Sequence, residues 1–301
     1  MINKLVLGTA GFGMNYGIAN KAGKPSKSNV LKMLDYAYDN GITTFDTAFQ
    51  YGDAEDLLGE FVSVNKLGGK IKIISKLQPN CIDDNTTNIP CVIHDHICKS
   101  LERLHIDKLD GYLLHSPRYI YESKITNALE VAKMANYVDN IGVSVYEIDD
   151  ALFTCDYTNL NYIQLPYSVF DQRINKSDLV LRAKTSNVKL FVRTIFLQGL
   201  LFLEEINIPE HLKEFIPHLR LFNDILKKYN VSKAEAALSF ATNRYHFDHI
   251  VIGVDNIEQL IMDIDIIKKQ NDIKELIDEL QYKFEDIPKA LIFPSLWTKK
   301  Q

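Results

Sequence analysis

The chain reads as an α/β protein, a closed (β/α)8 barrel of eight parallel strands forming one domain over residues 1–301. Three observations predict it. Eight short apolar, β-branched stretches recur along the chain, helix-like segments separate most of them, and several residues able to do acid-base chemistry stand at or just past the ends of three stretches. The stretches are Leu5–Leu7, Ile42–Phe45, Ile71–Ile74, Leu109–Leu114, Ile141–Val145, Tyr162–Leu165, Leu190–Val192 and Ile250–Val254. Their apolarity is continuous rather than alternating, as it must be in strands covered on both faces. Between them, Ser28 is a plausible N-cap for Val30–Tyr38 and Ser232 for Lys233–Asn243.

An open doubly wound sheet is the competing architecture, and the glycine-rich GTAGFGMNYG after the first strand bears on the choice. Gly8, Gly11, Gly13 and Gly17 miss the GxGxxG spacing, and no helix is expected to open at once, so the segment reads as a flexible loop at a barrel mouth. P-loop, GxSxG and HExxH motifs are absent, which removes the usual supports for nucleotide hydrolysis, serine hydrolysis and zinc proteolysis.

Composition bounds the function further. With 46% hydrophobic and 24% charged residues, the 301-residue chain can bury one large core. A net charge of -5 with scattered Lys and Arg argues against a nucleic-acid partner. No apolar run is long enough to span a bilayer and the start lacks a signal-peptide pattern, so no membrane partner and a cytoplasmic location are expected. Cys81, Cys91, Cys98 and Cys155 show no CxxC spacing and read as reduced thiols. His94, His96 and Cys98 lie in a segment that runs into a helix, which would point them apart; no metal site is expected.

The chemical signal is Asp46 and Tyr51 in FDTAFQYG, Lys76 in KIKIISKL and His115 in GYLLHSP. Taken singly, such residues are loop anchors, solvated charges or packing groups. Taken jointly after the second, third and fourth strands, they fit one site at the barrel mouth. A tyrosine hydroxyl works near neutral pH only if a cation stabilises its phenolate, and Lys76 supplies one, held by Asp46. His115 can then orient a carbonyl oxygen while Tyr51 protonates it. Hydride from a nicotinamide cofactor completes such a reduction.

These residues resemble the aldo/keto reductase superfamily, and the likeness covers nearly the whole chain: GTAGFG, FDTAFQYGDAEDLLGE, ISKL, SLERLHIDKLDGYLLHSP, IGVSVYE, YIQLPYSVFDQR, FLQGLL and VIGVDNIEQL. The resemblance implies a TIM barrel binding an extended NAD(P)H, with Asp46, Tyr51, Lys76 and His115 as catalytic tetrad. It further implies cofactor contacts from Ser144 and Gln164 to the nicotinamide carboxamide, from Thr194, Phe196 and Gln198 around the pyrophosphate, and from Gly253, Val254, Asn256, Gln259 and Asp263 toward the adenosine end. Three departures stand out. Val145, not Asn, follows Ser144; Arg193 replaces the aromatic residue that stacks on the nicotinamide in many relatives, so that it either stacks there, meets an anionic substrate or pairs with a neighbouring acid; and no Lys or Arg stands near Gly253 or at Gln259, while Asp255 would disfavour a 2'-phosphate. A weaker preference for NADP over NAD than is usual is therefore expected, unless Lys268 or Lys269 reaches in.

Phe12, Tyr16 and Phe49, with Met14 and, if the tail folds over, Phe293 and Trp297, are the candidate substrate walls; the apolar tail IPKALIFPSLW either crosses the barrel or packs outside it, the latter being favoured. The partner is a small carbonyl compound, and RTIFLQGLL resembles members associated with sugars. The leading reading is an NAD(P)H-dependent reductase of an aldehyde, ketone or open-chain sugar. A cofactor-sensing or interaction subunit of the same fold, or a lyase using Lys76 as a Schiff-base amine, is the alternative.

Overall fold

The computed structural model describes residues 1–243, 247–269 and 273–297. Eight strands close into a barrel in sequence order, every neighbouring pair parallel, β8 completing the ring against β1. They are β1 (Leu5–Gly8), β2 (Thr44–Asp46), β3 (Lys72–Lys76), β4 (Leu109–Leu114), β5 (Val138–Ser144), β6 (Tyr162–Pro166), β7 (Lys189–Arg193) and β8 (His249–Gly253). All eight expected stretches contribute a strand, which rules out the open sheet. The largest boundary shift is at β5, which starts three residues early at Val138; at β2, Ile42 is fully buried but its amide closes the preceding helix on Ala37, so the strand starts at Thr44.

The helices are α1 (Ala10–Gly13), α2 (Lys27–Asp39), α3 (Ala54–Val64), α4 (Ile89–Leu104), α5 (Ser123–Met134), α6 (Ile148–Tyr157), α7 (Leu179–Thr185), α8 (Ile216–Tyr229), α9 (Lys233–Asn243), α10 (Ile257–Lys269), α11 (Lys274–Lys283) and α12 (Lys289–Ile292). Caps set several of these limits. Ser26 rather than Ser28 caps α2, its Oγ accepting from the Asn29 amide, because only Ser26 has the extended backbone a cap needs. Ser232 Oγ accepts from the Glu235 amide at the start of α9. Asn136, Asn187 and Asn230 follow helices with left-handed φ of 64°, 55° and 53°, doing at three helix ends what glycine does elsewhere. Helix α4 begins at an Asn88 cap and already contains His94, His96 and Cys98, so no loop precedes it there; His94 and Cys98 share a face, while His96 turns to the ring of Phe49.

Packing divides into two cores. Outside the strands, a large apolar layer joins sheet and helices. Inside, Val6, Ile74, Leu113, Tyr162, Phe191 and Val251 fill the barrel, with the Tyr162 and Phe191 rings 4.8 Å apart. Side chains alternate along a strand, so the residue two positions beyond each of these points inward one layer nearer the mouth. That rule places the site.

Two sequence expectations change. The glycine-rich segment is no open loop: α1 forms directly after β1, and a Cβ on Gly13 would lie 1.7 Å from the carbonyl oxygen of Tyr51. The C-terminal segment reaches the barrel rim instead of the outer wall, with the Phe293 ring tilted against Tyr146, centroids 5.5 Å apart, just past β5 and Lys289 paired with Glu147. Trp297 closes the segment on itself, its indole donating to the Ala290 carbonyl.

Helices α3 and α4 meet where Gly59 has no side chain; a Cβ there would lie 2.0 Å from the Arg103 carbonyl oxygen. Gly59→Ala should cost about 1–3 kcal/mol by forcing the helices apart, outweighing its gain in helix propensity. Urea unfolding would read this as a lower midpoint at unchanged slope, and an unchanged midpoint would refute it.

Candidate active site

The mouth layer follows from the interior core by adding two. Val6 leads to Gly8, Ile74 to Lys76, Leu113 to His115, Tyr162 to Gln164, Phe191 to Arg193 and Val251 to Gly253; Asp46 and Ser144 end the two remaining strands. Six polar side chains and two glycines thus ring one end of the barrel.

The central contact is between neighbours β2 and β3. Lys76 Nζ donates to both carboxylate oxygens of Asp46, at 2.8 and 2.7 Å, and to the Thr47 carbonyl at 2.8 Å. Lys76 is fully buried, so these bonds satisfy all three ammonium donors. Burial pulls Lys76 below the usual lysine range and the Asp46 carboxylate, within hydrogen-bond distance on both oxygens, pulls the other way. Gln164 Nε2 donates to Asp46 at 2.8 Å, and its Oε1 accepts from Ser144 Oγ at 3.3 Å. The two residues expected to share a carboxamide are thereby joined to the Asp46 carboxylate, a link between β2 and β6 that nothing local in the sequence announces.

Tyr51 enters from the loop after β2, on a backbone pinned between Gly13 and Gly52. Gly52 has φ of 59°, and a Cβ on it would lie 2.2 Å from the Gly13 carbonyl oxygen. The Tyr51 ring lies 5.1 Å from Lys76 Nζ and edge-on to the His115 ring, centroids 5.8 Å apart. Contrary to the expectation of a stabilised phenolate, the Tyr51 hydroxyl is pushed well above its ordinary pKa, first by burial and then by the Asp46 charge. The cation beside it is already neutralised. His115 is pushed down to about 3, by burial and by the positive charges of Lys76 and Arg193, and is neutral; its buried Nδ1 has no partner among the described residues. The mouth therefore holds a protonated phenol beside an uncharged imidazole.

Arg193 takes no acid partner among the described residues. Its Nη2 donates to the Val145 carbonyl and its Nη1 to Thr194 Oγ1, both at 3.1 Å, and its guanidinium stacks 4.3 Å from the Tyr146 ring. Tyr146 was not among the residues singled out in the sequence, although its place two beyond Ser144 would have marked it. Thr194, Leu197 and Gln198 all have positive φ, 65°, 46° and 52°, unusual for residues with side chains. The loop is held by the Gln198 carbonyl, which accepts from the Ile18 amide at 3.0 Å, while Gln198 Nε2 reaches the Tyr16 hydroxyl at 3.3 Å. The Phe196 ring lies against Phe202.

Beyond β8, Val254 is buried, Asn256 caps α10 by accepting from the Gln259 amide at 2.9 Å, and Gln259 Oε1 accepts from the Asp255 amide at 2.8 Å. Asp255 itself accepts from Asn20 at 3.2 Å. Asp263 is buried within this corner, its carboxyl pushed up to about 7 by burial, and is not presented at the surface as a nucleotide contact would be. Lys268 bonds Asn40 at the end of α2, away from the mouth, and Lys269 ends the same helix.

Of the expected walls, Tyr16 is at the mouth. Phe12 is buried in the core under α1, and Phe49 is clasped by Arg103, 4.3 Å from its ring, and by His96. Phe49 is drawn away by neighbours distant in sequence, Phe12 by the local turn α1 to which it belongs.

The sequence profile of the Aldo/keto reductase family matches residues 4–280. The chain is 33% identical over 144 residues to an NAD/NADP-dependent indole-3-acetaldehyde reductase of Schizosaccharomyces pombe, covering 45% of this chain and 48% of that one. It is 26% identical over 161 residues to a D-arabinose 1-dehydrogenase of Saccharomyces cerevisiae, covering 52% and 47% respectively. The chain spans about half the length of these curated relatives. Among solved structures, an aldo-keto reductase of Bacillus halodurans in its holo form superposes with a TM-score of 0.72 over 97% of this chain and 94% of that one, at 18% identity, a likeness of fold. With the barrel, the mouth layer and the profile in agreement over most of its length, the chain belongs to the aldo/keto reductase family.

Proposed function

We propose that the chain is an NAD(P)H-dependent oxidoreductase that reduces the carbonyl of an aldehyde, ketone or open-chain sugar to an alcohol. The observation that carries this reading is a protonated Tyr51 and a neutral His115 set beside a fully satisfied Asp46–Lys76 ion pair at the barrel mouth. Tyr51 gives its proton to the carbonyl oxygen, and His115, uncharged, orients that oxygen without competing for the proton. The ion pair keeps a fixed dipole behind Tyr51.

The residues fit a nicotinamide nucleotide. The paired Gly8 and Gly253 leave the β1–β8 side of the mouth layer without side chains, and a Cβ on Gly253 would meet nothing within 4 Å. Bound there, the nucleotide supplies the hydride. The loop from Thr194 to Gln198 follows β7, the neighbour of β8, Ser144 of β5 and Gln164 of β6 lie farther round the ring, and Gly253, Val254, Asn256 and Gln259 follow on from the β8 side. No Lys or Arg falls between Gly253 and Asp263, and Asp255 does, so binding of NADH equal to or better than NADPH is proposed. The names of the two yeast relatives, an aldehyde reductase and a sugar dehydrogenase, agree with a small carbonyl substrate. The Schiff-base alternative loses ground because every donor of Lys76 is bonded and the amine is buried.

Tyr51→Phe should lower kcat for aldehyde reduction by about a hundredfold or more while NADH affinity stays within a factor of about two; equal turnover would sink the assignment. Because His115 is depressed and stays neutral above its folded pKa, and Tyr51 is raised and stays protonated, the reduction rate should be level from roughly pH 5 to pH 9. A titration inside that window would contradict these protonation states. Gln259→Arg should tighten NADPH by about tenfold relative to NADH in a fluorescence titration, since a 2'-phosphate gains a charged partner; an unchanged ratio would place the ribose elsewhere.

A further inference from the structure

Arg193 carries a charge that the protein leaves unanswered. As the last residue of β7 it points into the mouth layer, on the strand that faces β3 and Lys76 across the ring. Its charge is felt at Tyr16, Tyr51, Lys76 and His115. The acids around it are taken. Asp46 is bonded by Lys76 and Gln164, and Asp171 accepts from Arg173 Nε and Nη2 at 2.8 Å each. Glu147 pairs with Lys289 and lies 3.5 Å from Arg173. With Asp46 cancelling Lys76 and His115 neutral, the layer holds one net positive charge.

The guanidinium is also fixed in place. Stacking on Tyr146, itself backed by Phe293, and bonds to the Val145 carbonyl and the Thr194 hydroxyl set its plane. Those bonds use two of its five N–H groups and leave three. A planar fork held rigid with spare donors is suited to a two-oxygen anion. A reduced nicotinamide ring has no charge to answer it, and the nucleotide's pyrophosphate is expected farther out, around Thr194–Gln198; the NADH dissociation constant in the test below separates that source from a charge brought by the substrate.

We propose that Arg193 docks an anionic group of the substrate, making the preferred substrates aldehydes or ketones that also carry a carboxylate or a phosphate. This rests on the reductase reading above and narrows it. Tyr51 and His115 take the carbonyl end, and Arg193 takes the charged end on the opposite side of the mouth.

The test uses the full chain with NADH and two matched pairs: 4-carboxybenzaldehyde against 4-nitrobenzaldehyde, and glyceraldehyde 3-phosphate against glyceraldehyde. The first pair reports a carboxylate preference and the second a phosphate preference. The charged member of at least one pair should show a KM about tenfold lower at low ionic strength, the advantage shrinking as salt rises to screen it. Arg193→Met should cut the charged-to-neutral ratio of kcat/KM about tenfold, chiefly through KM, and Arg193→Lys should restore part of it. A ratio unmoved by Arg193→Met, or an NADH dissociation constant that rises as much as the KM, would overturn the proposal, the latter by assigning the charge to the nucleotide. Turnover of all four aldehydes without charge preference would remove this inference alone. No turnover of any would remove the reductase reading and this one with it.

Discussion

Everything at the barrel mouth depends on burying Lys76 against Asp46. An ammonium and a carboxylate taken out of water lose several kcal/mol of hydration each, and attraction repays that only if the remaining hydrogen-bonding capacity is met as well. Here it is met from three strands. Asp46 and Lys76 end β2 and β3, the Thr47 carbonyl takes the third ammonium proton, and Gln164 of β6, 118 residues away from Asp46, bonds a carboxylate oxygen. That last bond exists only in a closed ring. Barrel closure and satisfaction of the ion pair are therefore one requirement, and the apolar interior of Val6, Ile74, Leu113, Tyr162, Phe191 and Val251 fixes the level at which it is met.

The ion pair also decides the character of Tyr51. A free ammonium 5.1 Å from the ring would draw the phenol toward ionisation, but this one is balanced by Asp46, and burial penalises the phenolate. What results is a phenol that keeps its proton, which suits the acid role proposed for it rather than that of a standing base. Its backbone is placed by the contact between Gly13 and Gly52, so the glycine-rich segment after β1 matters as a spacer without side chains rather than as a flexible loop.

The barrel was legible because eight apolar runs with covered faces admit few arrangements, and the meeting of Asp46, Lys76, Tyr51 and His115 at the mouth was legible because they stand at or just past strand ends. Counting two beyond an interior residue even assigns Arg193, Gln164 and Gly253 to one layer, using local numbering alone. Contacts set by remote partners were not legible. Gln164 turning to Asp46, Phe49 taken by Arg103 of α4 and Phe293 brought to Tyr146 each depend on a neighbour far along the chain, whereas Phe12 enters the core with the unforeseen local turn α1. The cap of α2 illustrates the local counterpart: Ser26 and Ser28 are the same chemistry, and backbone conformation chooses between them.

The C-terminal segment gives the charge at Arg193 its meaning. Glu147 lies only two residues beyond Val145, whose carbonyl Arg193 bonds, and would be the natural acid partner for a strand-end arginine of purely structural use. Instead Lys289 and Arg173 take Glu147, and Arg173 spans Asp171, the Tyr146 carbonyl and the Phe293 ring. The tail thus pins Tyr146 from behind while occupying the carboxylates beside it. A guanidinium that meets a neutral carbonyl, a hydroxyl and an aromatic face keeps its full charge and loses its freedom to turn away. Had the position served packing alone, a neutral aromatic residue would fill it without leaving a cation to be matched; the cation makes sense only if its counter-charge arrives with what the mouth binds.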